Sequence, residues 1–320
     1  MAVTQARYRK VILLCRSAEE RAHLDADGSN ERFLPGARFP PALQLEHEAH
    51  RACEGAALIV LVVPSSRMRK NVRWVAGSLT PRHVVLSGAK GFEPGTFKRM
   101  TEVLEEELAP TGVRSIGALS GPNLAREIAD GKPATSVVAS RSEEALVAAL
   151  QCLNTPLLRV YANTDVTGVE LAGALKNIVA IGAGAIDGLQ AGDNAKAAFV
   201  TRGLAEIARL GVASGANPLT FAGLAGLGDL LATVSSPGSR NRYVGQEFAR
   251  GRSLEEIRAD LSPQVAEGID TTRAVYHLSH ERDVRMPIVE QTYQVLFEGK
   301  PVSQAVSDLM LRDPKHELEF

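Results

Sequence analysis

ELAGALKNIVAIGAGAIDGLQAGDNAKAAFVTRG (Glu170–Gly203) and GLAGLGDLLATVSSPGSRNR (Gly223–Arg242) are the two stretches of sequence that decide the fold. Alanine, leucine and glycine recur in both at helical spacing, which predicts a tightly packed all-helical domain. Four strongly polar residues stand out within this apolar pattern, namely Lys176, Asp229, Arg240 and Asn241. Burying a charge costs free energy unless the charge is paired, so these residues predict a catalytic site for a phosphorylated substrate.

The length and the charge balance exclude several classes of protein. At 320 residues the chain is long enough for two domains with cores of their own. Its 36 Lys and Arg residues against 37 Asp and Glu residues give a net charge of −1. This balance argues against a broad nucleic-acid surface and against a polybasic membrane anchor, although it permits a local anion site.

The cysteines and the apolar runs indicate the compartment. Cys15, Cys53 and Cys152 lie far apart in the sequence, so we expect three small buried side chains in a reducing environment and no metal site. The apolar runs Val11–Cys15 and Ala56–Val63 are too short for a signal peptide or for a membrane span. We therefore expect a cytoplasmic protein.

The pattern of the chain changes near residue 160. Short apolar runs alternate with helical stretches before that point, and the predicted strands are Val11–Cys15, Leu58–Val63, Val84–Ser87, Ser115–Leu119, Thr135–Ala139 and Leu157–Tyr161. Such alternation predicts a parallel sheet with helices on both faces. We expect residues 1–160 to form a Rossmann-type doubly wound α/β domain that binds a dinucleotide, and residues 161–320 to form an all-α domain for substrate and catalysis.

The start of the first domain lacks the usual dinucleotide-binding signature. A Rossmann fold opens with a strand, a GxGxxG turn and a helix whose N-terminus binds the pyrophosphate, and no GxGxxG stands near this N-terminus. The first strand, VILLC (Val11–Cys15), is typical of the second strand of such a fold, where the adenosine ribose is bound. Arg16, directly after it, either accommodates a 2′-phosphate and so favours NADP, or is a solvated turn residue.

We therefore expect a truncated Rossmann fold whose first strand–turn–helix unit is absent. The absent strand is central in the usual strand order, so its neighbours would keep unpaired backbone groups unless the sheet closes or Met1–Arg9 substitutes. Met1–Arg9 (MAVTQARYR) has one short apolar patch and no glycine, which makes it a poor substitute.

Nine short motifs follow one another between about Val11 and about Pro301. They are RFLPG (Arg32–Gly36), VPS (Val63–Ser65), AKGFEPGT (Ala89–Thr96), LSGPNLAREIADGKPA (Leu119–Ala134), GVELAGALKNIVAIGAG (Gly168–Gly184), GDNAKAAFVTRGLAEIARLG (Gly192–Gly211), GLAGLGDLLAT (Gly223–Thr233), SRNR (Ser239–Arg242) and QVAEGIDT (Gln264–Thr271). In number, order and spacing these motifs resemble those of the bacterial-type NAD(P)-dependent glycerol-3-phosphate dehydrogenases. The resemblance implies interconversion of dihydroxyacetone phosphate and glycerol 3-phosphate, with NAD or NADP as cofactor.

The resemblance also implies three catalytic residues. Lys176 would exchange the proton on the central oxygen of the substrate, because a lysine whose pKa is lowered by burial can both donate and accept a proton. Asp229 would orient Lys176, and Lys90 would face the substrate and the cofactor. From the residues alone, Lys176 could instead extend into solvent from a helix end, and Asp229 could cap a helix.

Further residues are implied to bind the substrate or the cofactor. A helix start after Pro237-Gly238 would offer the substrate phosphate Ser239, Arg240 and Asn241, unless this segment is a surface turn. Asn177, Gly121 and Asn123 complete the implied substrate-binding set. The implied cofactor-binding residues are Arg16, Lys90, Ala125, Arg240, Val265 and Glu267, although Ala125 and Val265 could also be ordinary packing residues.

Three functions remain open on the sequence. The first is a glycerol-3-phosphate dehydrogenase in glycerophospholipid precursor supply. The second is a non-catalytic relative that has lost cofactor binding, which the missing GxGxxG favours and the intact set of charged residues opposes. The third is a dehydrogenase of the same architecture for another small phosphorylated or hydroxy-acid substrate. We expect a small phosphorylated substrate, neither nucleic acid nor membrane as a partner, and leave a homodimer open.

Overall fold

The computed structural model describes residues 1–313 and 316 and divides the chain into two compact units. The first unit contains Met1–Val63, Arg67–Ala89 and Met100–Val166. The second contains Pro64–Ser66, Lys90–Arg99 and the chain from Thr167 onward. Two short segments that lie within the first half of the sequence therefore belong to the second unit.

The first unit is an α/β layer structure. Its strands are β1 (Val11–Leu14), β2 (Leu43–Glu46), β3 (Leu58–Leu61), β4 (Val84–Ser87), β5 (Ser115–Ser120), β6 (Ala134–Ser140) and β7 (Leu158–Asn163). Its helices are α1 (Ala2–Gln5), α2 (Ala18–Asp27), α3 (Ala49–Cys53), α4 (Met68–Ala76), α5 (Met100–Leu108), α6 (Ala125–Ala129) and α7 (Glu143–Leu153).

Strand β4 shows how the helices cover both faces of the sheet. Successive side chains of a strand point to opposite faces. Val85 accordingly packs in the core formed with α4 and α5, whereas Val84 and Leu86 pack in the core formed with α7. The expected Rossmann-type, doubly wound arrangement is confirmed.

The strands described in the first unit form two separate sheets. Strands β1 and β2 pair in parallel with each other, and the other sheet has the order β3-β4-β5-β6-β7. The N-terminal segment does not bridge β1 and β3, because it forms α1 and is fixed elsewhere. Gln5 Nε2 donates to the carbonyl of Leu153 at 2.8 Å, and Arg7 Nη2 donates to that of Ala129 at 2.6 Å. Met1–Arg9 thus gives no substitute strand.

Two details of the sheets differ from the expectation. Strand β6 runs antiparallel to β5, whereas the neighbouring pairs are parallel. The five-residue helix α6 spans only about 7–8 Å, whereas a six-residue strand such as β5 is about 20 Å long. Because α6 is too short to carry the chain back to the start of β5, β6 starts at the edge of the sheet where β5 ends. Strand β2 was not predicted, because it has only four residues and two of them, Gln44 and Glu46, are polar.

The described part of the second unit is built from helices. They are α8 (Val166–Gly188), α9 (Asp193–Ala213), α10 (Pro218–Phe221), α11 (Asp229–Ser235), α12 (Arg240–Ala249), α13 (Leu254–Leu261), α14 (Glu267–Glu281), α15 (Pro287–Phe297) and α16 (Val302–Met310). By length and composition alone, α8 and Pro218–Ser235 could cross a membrane, but 83% of the 18-residue apolar window of α8 is buried inside the protein. Helix α8 is therefore a core helix, as the small-residue pattern predicts.

Glycines allow α8 and α12 to pack backbone against backbone. A Cβ at Gly184 of α8 would lie 1.9 Å from the carbonyl oxygen of Arg242. A Cβ at Gly245 of α12 would lie 1.8 Å from that of Ile181. Both distances are far below van der Waals contact, so the two helices can approach this closely only with glycine at these positions. The close crossing brings the start of α12 beside the middle of α8.

Candidate active site

The centre of the candidate site is Asp229, the first residue of α11. The preceding residues Leu224–Gly228 form a π-helical turn, which is tight because a Cβ at Gly226 would lie 2.1 Å from the carbonyl oxygen of Phe221. This turn directs Asp229 inward, where it is only 2% exposed. A carboxylate buried to this extent requires positive partners or hydrogen-bond donors.

Two lysines supply those partners. Lys176 of α8 lies with Nζ 2.7 Å from Asp229 Oδ1, and Lys90 lies with Nζ 2.6 Å from Asp229 Oδ2. Lys176 Nζ also donates to Thr233 Oγ1 at 2.6 Å. Thr233 was not predicted, although it follows Asp229 by one helical turn on α11, and this spacing places both side chains on one face. The site thus holds two ammonium groups on one carboxylate.

Burial makes Lys176 readily able to lose its proton. Burial and, secondly, the charge of Lys90 lower the pKa of Lys176 from 10.5 to about 8, while Asp229 acts in the opposite direction. A group with a pKa near the working pH can both donate and accept a proton. Lys176 therefore has the acid–base property that a carbonyl–alcohol interconversion needs.

Two asparagine amides form a hydrogen-bonded chain beside the lysines. The N–H of Gly268 donates to Asn241 Oδ1 at 3.0 Å, and Asn241 Nδ2 donates to Asn177 Oδ1 at 2.9 Å. Asn177 Nδ2 in turn donates to the carbonyl of Lys90 at 3.3 Å. These bonds fix the orientation of both amides and connect the starts of α12 and α14 with Lys90.

The residues predicted to bind phosphate lie at the start of α12, where the sequence placed a helix start. Ser239 is the N-cap, and its Oγ accepts the N–H of Arg242 at 3.3 Å. Arg240 is the first residue of the helix and is exposed, whereas Asn241 is 9% exposed. Arg240 is thus the member of this group whose side chain reaches solvent.

Glu267 brings a second carboxylate to the same group of charges. Its Oε1 accepts the N–H of Ser65 at 3.2 Å. Burial raises the pKa of Glu267, whereas the positive charges of Arg240, Lys90 and Lys176 act to lower it. Val265, just before it, is 49% exposed, so it is not a core packing residue.

Four predicted residues lie in the first unit. Arg16 is 74% exposed at its side chain, and its Nη2 lies 2.6 Å from Glu20 Oε1. Gly121 has φ +117°, and a Cβ there would lie 3.1 Å from the Cα of Ser136. Asn123 accepts a hydrogen bond at Oδ1 from Ser136 Oγ at 2.9 Å, and Ala125 begins α6 as an exposed residue.

Known proteins resemble the chain over nearly its whole length. Glycerol-3-phosphate dehydrogenase [NAD(P)+] of Chlorobium limicola is 46% identical over 319 residues, covering 99% of this chain and 96% of the relative. That of a Dehalococcoides mccartyi strain is 46% identical over 311 residues, covering 97% of this chain and 86% of the relative. The crystal structure of glycerol-3-phosphate dehydrogenase from Coxiella burnetii is 34% identical with a TM-score of 0.91, covering 97% of this chain and 94% of that chain.

Two family models match the two parts of the chain. The model of the NAD-dependent glycerol-3-phosphate dehydrogenase N-terminus matches residues 1–146, and the model of the C-terminus matches residues 165–307. The family predicted from the sequence motifs is thereby confirmed, together with the fold class. The chain belongs to the NAD-dependent glycerol-3-phosphate dehydrogenase family.

Proposed function

We propose that this protein is an oxidoreductase that interconverts dihydroxyacetone phosphate and sn-glycerol 3-phosphate with NAD or NADP. The observation that carries the proposal is the buried carboxylate of Asp229, held between Lys176 and Lys90 at 2.7 and 2.6 Å. A non-catalytic protein would gain little from such a cluster, since buried ion pairs contribute little net stability. The product suits a role in glycerophospholipid precursor supply in the cytoplasm.

The proposed chemical role of the chain's own residues is the transfer of one proton. Lys176, with a pKa of about 8, is mostly protonated at pH 7 and donates to the central oxygen of dihydroxyacetone phosphate as negative charge develops there. Asp229 and Thr233 hold the ammonium group in place. Lys90 adds a second positive charge next to the reacting oxygen. When bound, the nicotinamide supplies the hydride.

Substrate binding is assigned to the charges and amides around this centre. The Arg240 guanidinium and the positive end of the α12 dipole suit the substrate phosphate. Asn177 and Asn241 each keep a second amide N–H beyond the bonds described above, and these can donate to substrate oxygens. Ser239 fixes the helix start, and Gly121 and Asn123 of the first unit are also assigned to substrate binding.

The residues present fit the two ends of a dinucleotide. Arg16 follows β1 at its carboxyl end, where doubly wound folds bind the adenosine ribose, and its exposed guanidinium suits a 2′-phosphate. Glu267 and the exposed Val265 suit the nicotinamide end. Ala125, Lys90 and Arg240 complete the proposed cofactor-binding set. The division at residue 160, a homodimer, and the lack of membrane and nucleic-acid partners remain parts of this proposal.

Turnover of the purified protein tests the function. We expect NADH or NADPH to bind and dihydroxyacetone phosphate to be reduced, with a fall in turnover of about 10²–10⁴-fold in Lys176→Met, because a general acid contributes about this factor. Lys132→Met is the matched control, since the Lys132 side chain is 59% exposed on the first unit.

Three outcomes would contradict the proposal or part of it. Binding of neither cofactor would favour the non-catalytic relative. Weak turnover of dihydroxyacetone phosphate with strong turnover of another phosphorylated ketone would favour a different substrate. Unchanged turnover in Lys176→Met would remove Lys176 from the proton transfer.

A further inference from the structure

A ten-residue loop carries Lys90 into the second unit. This segment, Lys90–Arg99, is here called the strap; the residues on either side of it, Ala89 and Met100, belong to the first unit. The strap is closed on itself by an antiparallel bridge between Phe92 and Arg99. Within it the N–H of Glu93 donates to the carbonyl of Lys98 at 2.9 Å. A loop bonded in this way is expected to move as one piece.

The two ends of the strap are fastened to one face of α8. At one end, the carbonyl of Lys90 accepts a hydrogen bond from Asn177 Nδ2 at 3.3 Å. At the other, Arg99 Nη1 lies 2.7 Å from Glu170 Oε2, with side chains only 19% and 7% exposed. Glu170 and Asn177 are seven residues apart, about two helical turns, and so lie on the same side of the helix.

The position of the strap sets the position of one charge in the site. Lys90 Nζ lies 2.6 Å from Asp229 Oδ2, while Lys176 Nζ lies 2.7 Å from the other oxygen of the same carboxylate. The titratable groups with the largest effects on Lys176 are Lys90 from the strap, Asp229 from α11 and Glu267 from α14, and of these Lys90 lowers its pKa. Displacing the strap would therefore change both the substrate-facing charge and the proton affinity of Lys176.

We propose that Glu170 and Arg99 are positioning residues, whose part-buried ion pair holds the strap so that Lys90 stays on Asp229. This inference rests on the proposed function, but it concerns two residues that the reaction itself does not require. The pair acts through Lys90: its carboxylate and guanidinium fix the far end of the strap, and Asn177 fixes the near end. An ion pair shielded from water in this way is held far more strongly than an exposed one.

The test removes one charge of the pair while keeping the shape of the side chain. Glu170→Gln is expected to lower kcat/KM for dihydroxyacetone phosphate about 10-fold and to move the pH profile of turnover upward, because Lys90 leaves Asp229. Arg99→Met should show the same changes as Glu170→Gln. Arg99→Lys keeps the positive charge and should therefore retain most of the wild-type pH profile. Glu127→Gln is the matched control, since it removes the exposed ion pair of Glu127 with Lys132 in the first unit.

Two further measurements do not depend on turnover. Amide hydrogen exchange of residues 90–99 should be faster in Glu170→Gln than in wild type or Glu127→Gln. The titration of Lys176, followed by NMR in the absence of ligand, should move to higher pH. If both results are observed and the wild type shows no turnover, they support the positioning role and contradict the proposed function. A less stable Glu170→Gln protein with unchanged pH profile, unchanged kcat/KM and unchanged strap exchange would overturn the inference.

Discussion

The proposed site residues of the two units differ in burial. In the second unit, Lys176 and Asp229 have side chains that are 8% and 3% exposed and are paired at 2.7 Å. In the first unit, the Arg16 side chain is 74% exposed and paired with Glu20, which is 29% exposed. A buried charge must have a partner in the fold, whereas an exposed charge has no such requirement. A function is therefore easier to infer for a buried charged residue than for an exposed one.

Backbone packing also differs between elements of the two units. In the second unit, glycines bring α8 and α12 so close that a Cβ at Gly245 would lie 1.8 Å from a carbonyl oxygen. In the first unit the sheet is divided, and β1 (Val11–Leu14) is only half-buried along its length, whereas β4 (Val84–Ser87) is buried throughout. Central strands of parallel sheets are usually covered on both faces. The crossing of α8 and α12 is thus packed more tightly than strand β1.

Adding one methyl group at the helix crossing is expected to give the largest effect. Gly245→Ala would place a Cβ 1.8 Å from the carbonyl oxygen of Ile181, and this backbone atom can yield only if α8 and α12 move apart. We expect a loss of more than about 3 kcal/mol in the free energy of unfolding, measured by urea denaturation. Turnover should fall too, because Asn241 would move away from Asn177.

The matched control is a glycine of the first unit. Gly77 ends α4 with φ −64°, and a Cβ added there would have open space around it, with no atom of the described chain beyond its own neighbours within 4 Å. Gly77→Ala should leave stability unchanged or raise it by up to about 1 kcal/mol, because alanine restricts the unfolded chain. Equal effects of the two substitutions would show that the contrast in packing between the units does not govern stability.

Much of the second unit follows from local sequence. The spacing of alanine and glycine predicts its helices, and a carboxylate such as Asp229 amid apolar residues predicts a cationic partner. The start of α12 after Pro237-Gly238 follows from the N-cap preference of serine at position 239. The motif resemblance added the roles of individual residues, which the pattern of polarity alone left open.

Other features depend on contacts between distant parts of the sequence. Lys90 reaches Asp229 across a separation of 139 residues, and no local pattern places a strand-end lysine in the helical unit. The antiparallel direction of β6 depends on how far the connection through α6 can reach. Thr233 resembles any small residue of an apolar helix until Lys176 is seen to donate to its Oγ1.

A buried carboxylate of the second unit should make stability depend on pH. Glu206 of α9 is 4% exposed, and its oxygens accept the N–H groups of Ile288 and Val289 at 2.9 and 3.3 Å. Burial raises the pKa of Glu206 from 4.5 to about 7, although these two bonds and the charges of Arg209 and Arg312 oppose the change. The folded protein therefore binds this proton more tightly than the unfolded chain does, and stability should fall as the pH rises from about 4.5 to about 7.

The variant Glu206→Gln removes this titration. Its free energy of unfolding should vary by about 3 kcal/mol less between pH 5 and pH 8 than that of the wild type, because the glutamine is neutral throughout. Urea denaturation at the two pH values measures the difference. The exposed Glu105 of α5 provides the control, and Glu105→Gln should keep the wild-type dependence. A wild-type slope in Glu206→Gln would mean that other groups carry the pH dependence.

The smallest expected effect concerns Arg16 in the first unit, where the sequence left two interpretations open. If Arg16 binds a 2′-phosphate, Arg16→Gln should weaken NADPH binding about 10-fold, about 1.4 kcal/mol, and leave NADH binding unchanged. Glu20→Gln frees the guanidinium from its partner at 2.6 Å and should tighten NADPH binding by a factor of about 2, since an exposed ion pair contributes about 0.5 kcal/mol. Fluorescence titration with both cofactors measures these ratios. Should both variants keep the wild-type ratio of NADPH to NADH affinity, Arg16 is a solvated turn residue, and the contrast between it and the buried, paired Lys176 extends from burial to function.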